Sequence, residues 1–200
     1  MLHKILAGLL ALFTLAFCPA AYAGSYGEVQ LAPSYKATYC ASSAFFTPAA
    51  SATDLAVING SASKTIRVLK IFLNYKSTAA GSTDVENFLV IKRSAANSGG
   101  TATTLTNVPL NSTSASASAV AKNYTANPTP GATVGTIANG QCIGGNVTGN
   151  FTTLVLFDAD KYGQACDLIG TAQGLAVNHN GASVAGSSPL IQVTFVWTEE

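Results

Sequence analysis

Between Leu190 and Thr198 the chain reads LIQVTFVWT, the clearest alternation of polarity in the sequence. Ile191, Val193, Phe195 and Trp197 share one parity, while Gln192, Thr194 and Thr198 share the other. A period of two with one apolar side belongs to an extended strand buried on one face, because a helix would turn each residue by about 100° and scatter the apolar set. Other segments repeat the signal. TIRVLKIFLNYK (Thr65 to Lys76) and VENFLVIKR (Val85 to Arg93) are apolar on both parities, which predicts central strands, joined by a turn around Gly81. TDLAVING closes on the turn dipeptide Asn59-Gly60, and FTTLVLF and QGLAVN predict two further core strands.

The stretch from Ser94 to Ala121 is rich in Ser, Thr, Ala and Gly, with few large apolar side chains. It predicts a long surface excursion with one edge strand, because such a run buries too little to offset the cost of ordering it. NPTPG (Asn127 to Gly131) predicts a rigid turn. No amphipathic helix follows residue 24, and there is no internal repeat or heptad. Many short strands punctuated by Gly and Pro predict an all-β, single-domain antiparallel β-sandwich of jelly-roll type over residues 37–200. A chain of 200 residues is long enough to bury such a core.

The first residues form a separate unit. MLHKILAGLLALFTLAFCPAAYAG combines a basic start (His3, Lys4), an apolar run from Ile5 to Phe17 and the small-x-small site Ala21-Tyr22-Ala23. That is the layout of a secretory signal peptide over 1–23, cut between Ala23 and Gly24, with 24–36 left as an N-terminal arm. The apolar run is shorter than the roughly 20 residues of a membrane span, so no stable span is expected after cleavage. The expected destination is outside the cytoplasm, periplasmic or extracellular. Loss of Lys4 from ten Lys and Arg leaves nine against nine Asp and Glu. Charged residues are only 10% of the chain and are not clustered, which argues against nucleic acid or an anionic membrane as partner. Export permits a disulfide. Cys142 and Cys166 flank the apolar run FTTLVLFDAD and are the expected pair, with three buried free thiols as the alternative.

Catalytic signals are sparse. After cleavage His179 is the one histidine, set in Asn178-His179-Asn180-Gly181, and Asn and Gly tolerate the left-handed backbone of a hairpin tip. It is therefore expected at the crest of a turn. The sequence has no G-x-S-x-G, H-E-x-x-H or G-x-x-x-x-G-K-[ST] pattern, so no catalytic set and no cofactor is expected. A hydrolase would have to draw a carboxylate pair from Asp158, Asp160 or Glu86. In DADKYGQACDLI, Asp158 and Asp160 mimic the first and third positions of a calcium loop. Tyr162 and Ile169 occupy two ligand positions, however, leaving Asp158, Asp160 and Asp167 as a shallow calcium candidate. For glycans, which favour exposed aromatic platforms, Tyr26, Tyr35, Tyr39 and Tyr124 are candidates, while Trp197 is expected in the core.

The ordered blocks KTIRVLKIFL, VIKRSAANSGGTATTLTNVP, YTANPTPGATVGTI, GTAQGLAVNHNGASVAG and the ending VTFVWTEE cover roughly residues 35 to 200. They resemble an uncharacterised family of small virion-associated proteins of tailed-phage and environmental viral genomes, which carries no catalytic motif. The resemblance implies a β-sandwich structural protein, an accessory or decoration subunit of a head or tail, forming a homotrimer. Its partners would be other virion proteins; the alternative is a secreted adhesin or lectin-like module that contacts cell-surface proteins or glycans. The signal peptide and the three mature cysteines depart from the family pattern and point to an oxidising destination. Intact mass of the protein recovered from an exporting host should correspond to a chain that begins at Gly24; a full-length mass would overturn the cleavage reading.

Overall fold

The computed structural model describes residues 36–49, 53–78, 85–143, 151–180 and 189–200; the expected signal segment, its expected Ala23–Gly24 cleavage site and the arm up to Tyr35 lie outside them. The described strands are β1 (Thr38–Ser42), β2 (Asp54–Asn59), β3 (Ile66–Lys76), β4 (Val85–Arg93), β5 (Thr101–Thr104) and β6 (Val108–Pro109). They continue with β7 (Val120–Ala126), β8 (Thr133–Ile143), β9 (Phe151–Asp158), β10 (Cys166–Leu168), β11 (Gly174–Asn178) and β12 (Leu190–Glu199). One helical turn, α1 (Ala159–Tyr162), separates β9 from β10. The strands form two antiparallel sheets. In the first, β3, β12, β1 and β6 are neighbours in that order, and β9 and β10 both lie on the far side of β3. The second runs β5-β7-β2-β11-β4-β8.

Because β9 and β10 follow one another along β3, they act as one strand interrupted by α1. Without β5, β6 and β7, eight strands remain, and in chain order they run 1-8-3-6 in one sheet and 2-7-4-5 in the other. This is the wiring of a jelly roll, so the expected all-β sandwich is the observed one.

The alternation at the C-terminus behaves as its pattern demands. Ile191, Val193, Phe195 and Trp197 are wholly buried, and Tyr39 stacks on Trp197 with ring centroids 5.8 Å apart. In β3 the apolar side chains on both parities have a mechanical cause. Ile66 and Val68 face the core, then Ile71, Leu73 and Tyr75 do. The ladder with β12 passes from Val68 to Lys70 and skips Leu69, so a bulge changes the parity that points inward.

The segment between β4 and β8 departs from expectation. Where one edge strand was predicted it supplies three strands: β5 and β7 extend the second sheet, and β6 extends the first along β1. It closes one side of the sandwich, with Leu105 and Ala119 joining the main core. Two buried carboxylates supply the ordering that its own apolar content does not. Asp54, 1% exposed, accepts from Arg93 Nη2 at 2.6 Å, Arg93 Nε at 3.2 Å, Asn178 Nδ2 at 2.7 Å and Asn97 Nδ2 at 2.9 Å. Asn97 Oδ1 in turn accepts from the Gly131 N–H at 2.9 Å, joining the two ends of the insertion. Gly131 is required there: a Cβ would stand 1.8 Å from the Ala95 carbonyl oxygen.

Glu199 is the second anchor. It accepts from the Ser118 N–H and hydroxyl, both at 2.8 Å, from the Ala119 N–H at 3.0 Å, from the Trp197 indole at 3.1 Å and from Lys64 at 3.2 Å. Burial acts to raise its pKa, but the hydrogen bonds from Ala119, Trp197 and Ser118 outweigh it and hold the carboxyl below its ordinary 4.5. A depressed carboxylate contributes stability that is complete above the unfolded pKa and is lost as pH falls through the folded one. Glu199→Gln should therefore cost about 2 kcal/mol at neutral pH and should flatten the acid limb of stability. Denaturant titrations from neutrality downward check this; an unchanged acid limb in the variant would rule Glu199 out as the titrating group.

Candidate functional site

The jelly-roll wiring brings the strand ends that precede and follow the β1–β2, β3–β4, β8–β9 and β11–β12 connections to one end of the sandwich. His179 stands there, directly after β11. It is not the crest of a turn, as its neighbours suggested. Its N–H donates to the Thr53 carbonyl at 2.8 Å, which continues the ladder, and its ring is wholly buried. Nε2 lies 2.5 Å from Glu86 Oε2, and the ring packs on Phe88 with centroids 5.2 Å apart. Turn chemistry begins one residue later, at Asn180, whose φ is +46°.

Glu86 lies opposite Cys142 in the β4–β8 ladder, so imidazole, carboxylate and thiol share one buried region. Their chemistry does not suit nucleophilic catalysis. Burial, followed by the adjacent Glu86, pushes the Cys142 thiol up to about 12, the reverse of what an attacking cysteine needs. His179 spends Nε2 on Glu86, and neither His179 Nδ1 nor Glu86 Oε1 has a hydrogen-bond partner among the described groups. His179, Glu86 and Cys142 are 0%, 2% and 4% exposed, so the cluster is buried. Its evident effect is to clamp the end of β11 to β4.

The expected Cys142–Cys166 bridge does not form, and both thiols are free. Cys142 pairs with Glu86 at the start of β4, whereas Cys166 sits on β10 of the other sheet, beside Lys92 near the end of β4. Six residues of strand at about 3.3 Å each put the two sites roughly 20 Å apart, where a disulfide needs Cα atoms about 4.4–6.8 Å apart. The three carboxylates of the calcium candidate do not converge on one point. Asp158 and Asp160 both turn onto Lys70, at 3.4 and 3.0 Å, while Asp167 lies on β10 with its Oδ1 3.9 Å from Arg67 Nε. No group of three or more metal-ligating side chains occurs among the described residues. Of the aromatic candidates, Tyr39 and Tyr124 are buried, and Tyr26 and Tyr35 lie outside the described residues.

The open sites lie elsewhere. On the outer face of the second sheet, a hollow of about 640 Å³ is lined by Asn87, Leu89, Asn139, Gln141 and Asn180. Along the seam between the sheets, a groove of about 340 Å³ runs past Lys92, Ile137, Phe157, Tyr162, Gln164 and Asp167. No family model, curated protein or solved structure matches the chain. Fold and surface thus define its class: a jelly-roll β-sandwich with buried ionisable clamps, an uncharged outer hollow and a seam groove that carries Lys92 and Asp167.

Alkylation tests the thiol geometry. In the native state at mildly alkaline pH, iodoacetamide should leave Cys142 unlabelled, whereas in denaturant without reductant Cys40, Cys142 and Cys166 should each take one label. A Cys142–Cys166 cross-linked peptide in a non-reducing digest would contradict the separation.

Proposed function

We propose that this chain is a non-enzymatic structural subunit that works by packing its sandwich against other protein surfaces, as a virion accessory or decoration-type protein does. The observation that carries the reading is the outer face of the first sheet. There Thr153 Oγ1 donates to Asn74 Oδ1 at 2.8 Å, Asn74 Nδ2 to Gln192 Oε1 at 2.8 Å, and Gln192 Nε2 to the Ser43 carbonyl at 3.0 Å. Ser42 and Thr194 pair beside them. This ladder of uncharged groups crosses β9, β3 and β12 toward β1, and the exposed Phe45, Phe151 and Val155 accompany it.

Side chains already held by one another lose little freedom when a partner arrives, and charge-poor surface with exposed aromatics suits the centre of an interface. The reading includes assembly as a homotrimer and delivery outside the cytoplasm or into a virion. Light scattering on the purified chain should give a trimer mass. Val155→Arg, on the outer face, should lower that mass without lowering the melting temperature. A wild-type monomer at all accessible concentrations would count against self-assembly, and a trimer indifferent to Val155→Arg would place the contact on another face.

A further inference from the structure

We propose that the seam groove between the two sheets is a binding site for a neutral sugar ring, a role beyond assembly. The site is made by the interruption that separates β9 from β10. Asp158 caps α1 by accepting from the Asp160 N–H at 3.1 Å, and Gly163, at φ +67°, ends the turn by donating to the Ala159 carbonyl. Lys70 holds Asp158 and Asp160 from the other side. The turn so held lays the Tyr162 ring flat on Phe157, with centroids 5.3 Å apart and planes 11° from parallel. Phe157 is core, while Tyr162 remains 55% exposed. One face of the tyrosine is thus supported and the other is open: an aromatic platform of the kind on which the C–H face of a pyranose stacks.

The polar groups around the platform select the ligand. Gln164 offers an amide. Asp167 offers the exposed part of its carboxylate, while its buried Oδ1 faces Arg67 Nε at 3.9 Å. Lys92 reaches across from β4 and donates to the Asp167 carbonyl at 2.9 Å, which leaves further ammonium protons free. A phosphate or other anion would meet the Asp167 carboxylate, and a quaternary ammonium over Tyr162 would meet Lys92, so each charged class is opposed by one wall. A neutral polyol satisfies both, with hydroxyls that accept from Lys92 and donate to Asp167. Ile137 supplies the apolar wall, and the groove's volume falls within the range of small-ligand sites.

Saturation-transfer NMR on the full chain tests this. The probes are methyl α-mannopyranoside, methyl β-galactopyranoside and methyl β-N-acetylglucosaminide, with choline and inorganic phosphate as charged comparators. At least one glycoside should receive saturation, strongest at its ring C–H protons. Tyr162→Ala should weaken its binding by about tenfold, the effect of losing one stacking contact, whereas Tyr162→Phe should retain it. Gln164→Ala, a surface change, provides the same test should Tyr162→Ala lower the melting temperature. Absence of saturation for every glycoside, preference for choline or phosphate, or binding indifferent to both Tyr162→Ala and Gln164→Ala would overturn the proposal. Light scattering on the same samples separates this outcome from loss of the trimer.

Discussion

A carboxylate taken out of water destabilises a fold unless donors surround it, and the position of Asp54 depends on satisfying that condition. Its four donor contacts come from Arg93 at the end of β4, Asn178 at the end of β11, and Asn97 inside the insertion. Asp54 itself opens β2. One charge therefore ties together three strands of the second sheet and the segment that leaves it. Removing any partner would leave part of a buried ion pair exposed to an apolar surround, and this makes the arrangement mutually dependent. Val57, Tyr124 and Ala176 form a small apolar cluster apart from the main core, on the same sheet.

Glu199 does the corresponding work on the side closed by the insertion, where it collects two backbone N–H groups that no strand would satisfy. Together the two carboxylates convert a Ser- and Thr-rich stretch into a cover for the sandwich edge. The edges that remain open there are short: four residues in β5 and two in β6. Short edges limit strand-to-strand association on that side, whereas the opposite edge strands, β8 and β9, run for eleven and eight residues.

Much of this architecture was legible from one-dimensional pattern. The alternation through Ile191 to Trp197 and the doubly apolar β3 and β4 define a sandwich, because only paired strands with buried faces satisfy both. His179 was legible too, had parity been weighed above turn chemistry. Leu175, Val177 and His179 share a parity, as do Glu86, Phe88 and Val90, and each set faces the core. Asn178 and Asn180 carry the turn signal, but a strand buries alternate residues until it ends, and this one continues to His179. The ordering of the insertion was not legible. Its anchors, Asp54 and Glu199, are 39 residues before Arg93 and 80 residues after Ala119, and local composition carries no trace of such partners.

The sequence by itself determined the class of fold, the identity of the central strands and the residues of the core, since each follows from periodicity and hydrophobic burial along a short window. Tertiary structure alone decided which polar groups meet. It paired His179 with Glu86, turned Asp158 and Asp160 onto Lys70, set Cys142 and Cys166 on different sheets, and laid Tyr162 on Phe157 at the seam. The physical reason is range. Burial preference acts on each residue where it stands, whereas a hydrogen bond, an ion pair or a stacked ring depends on what the register of distant strands delivers to within a few ångströms.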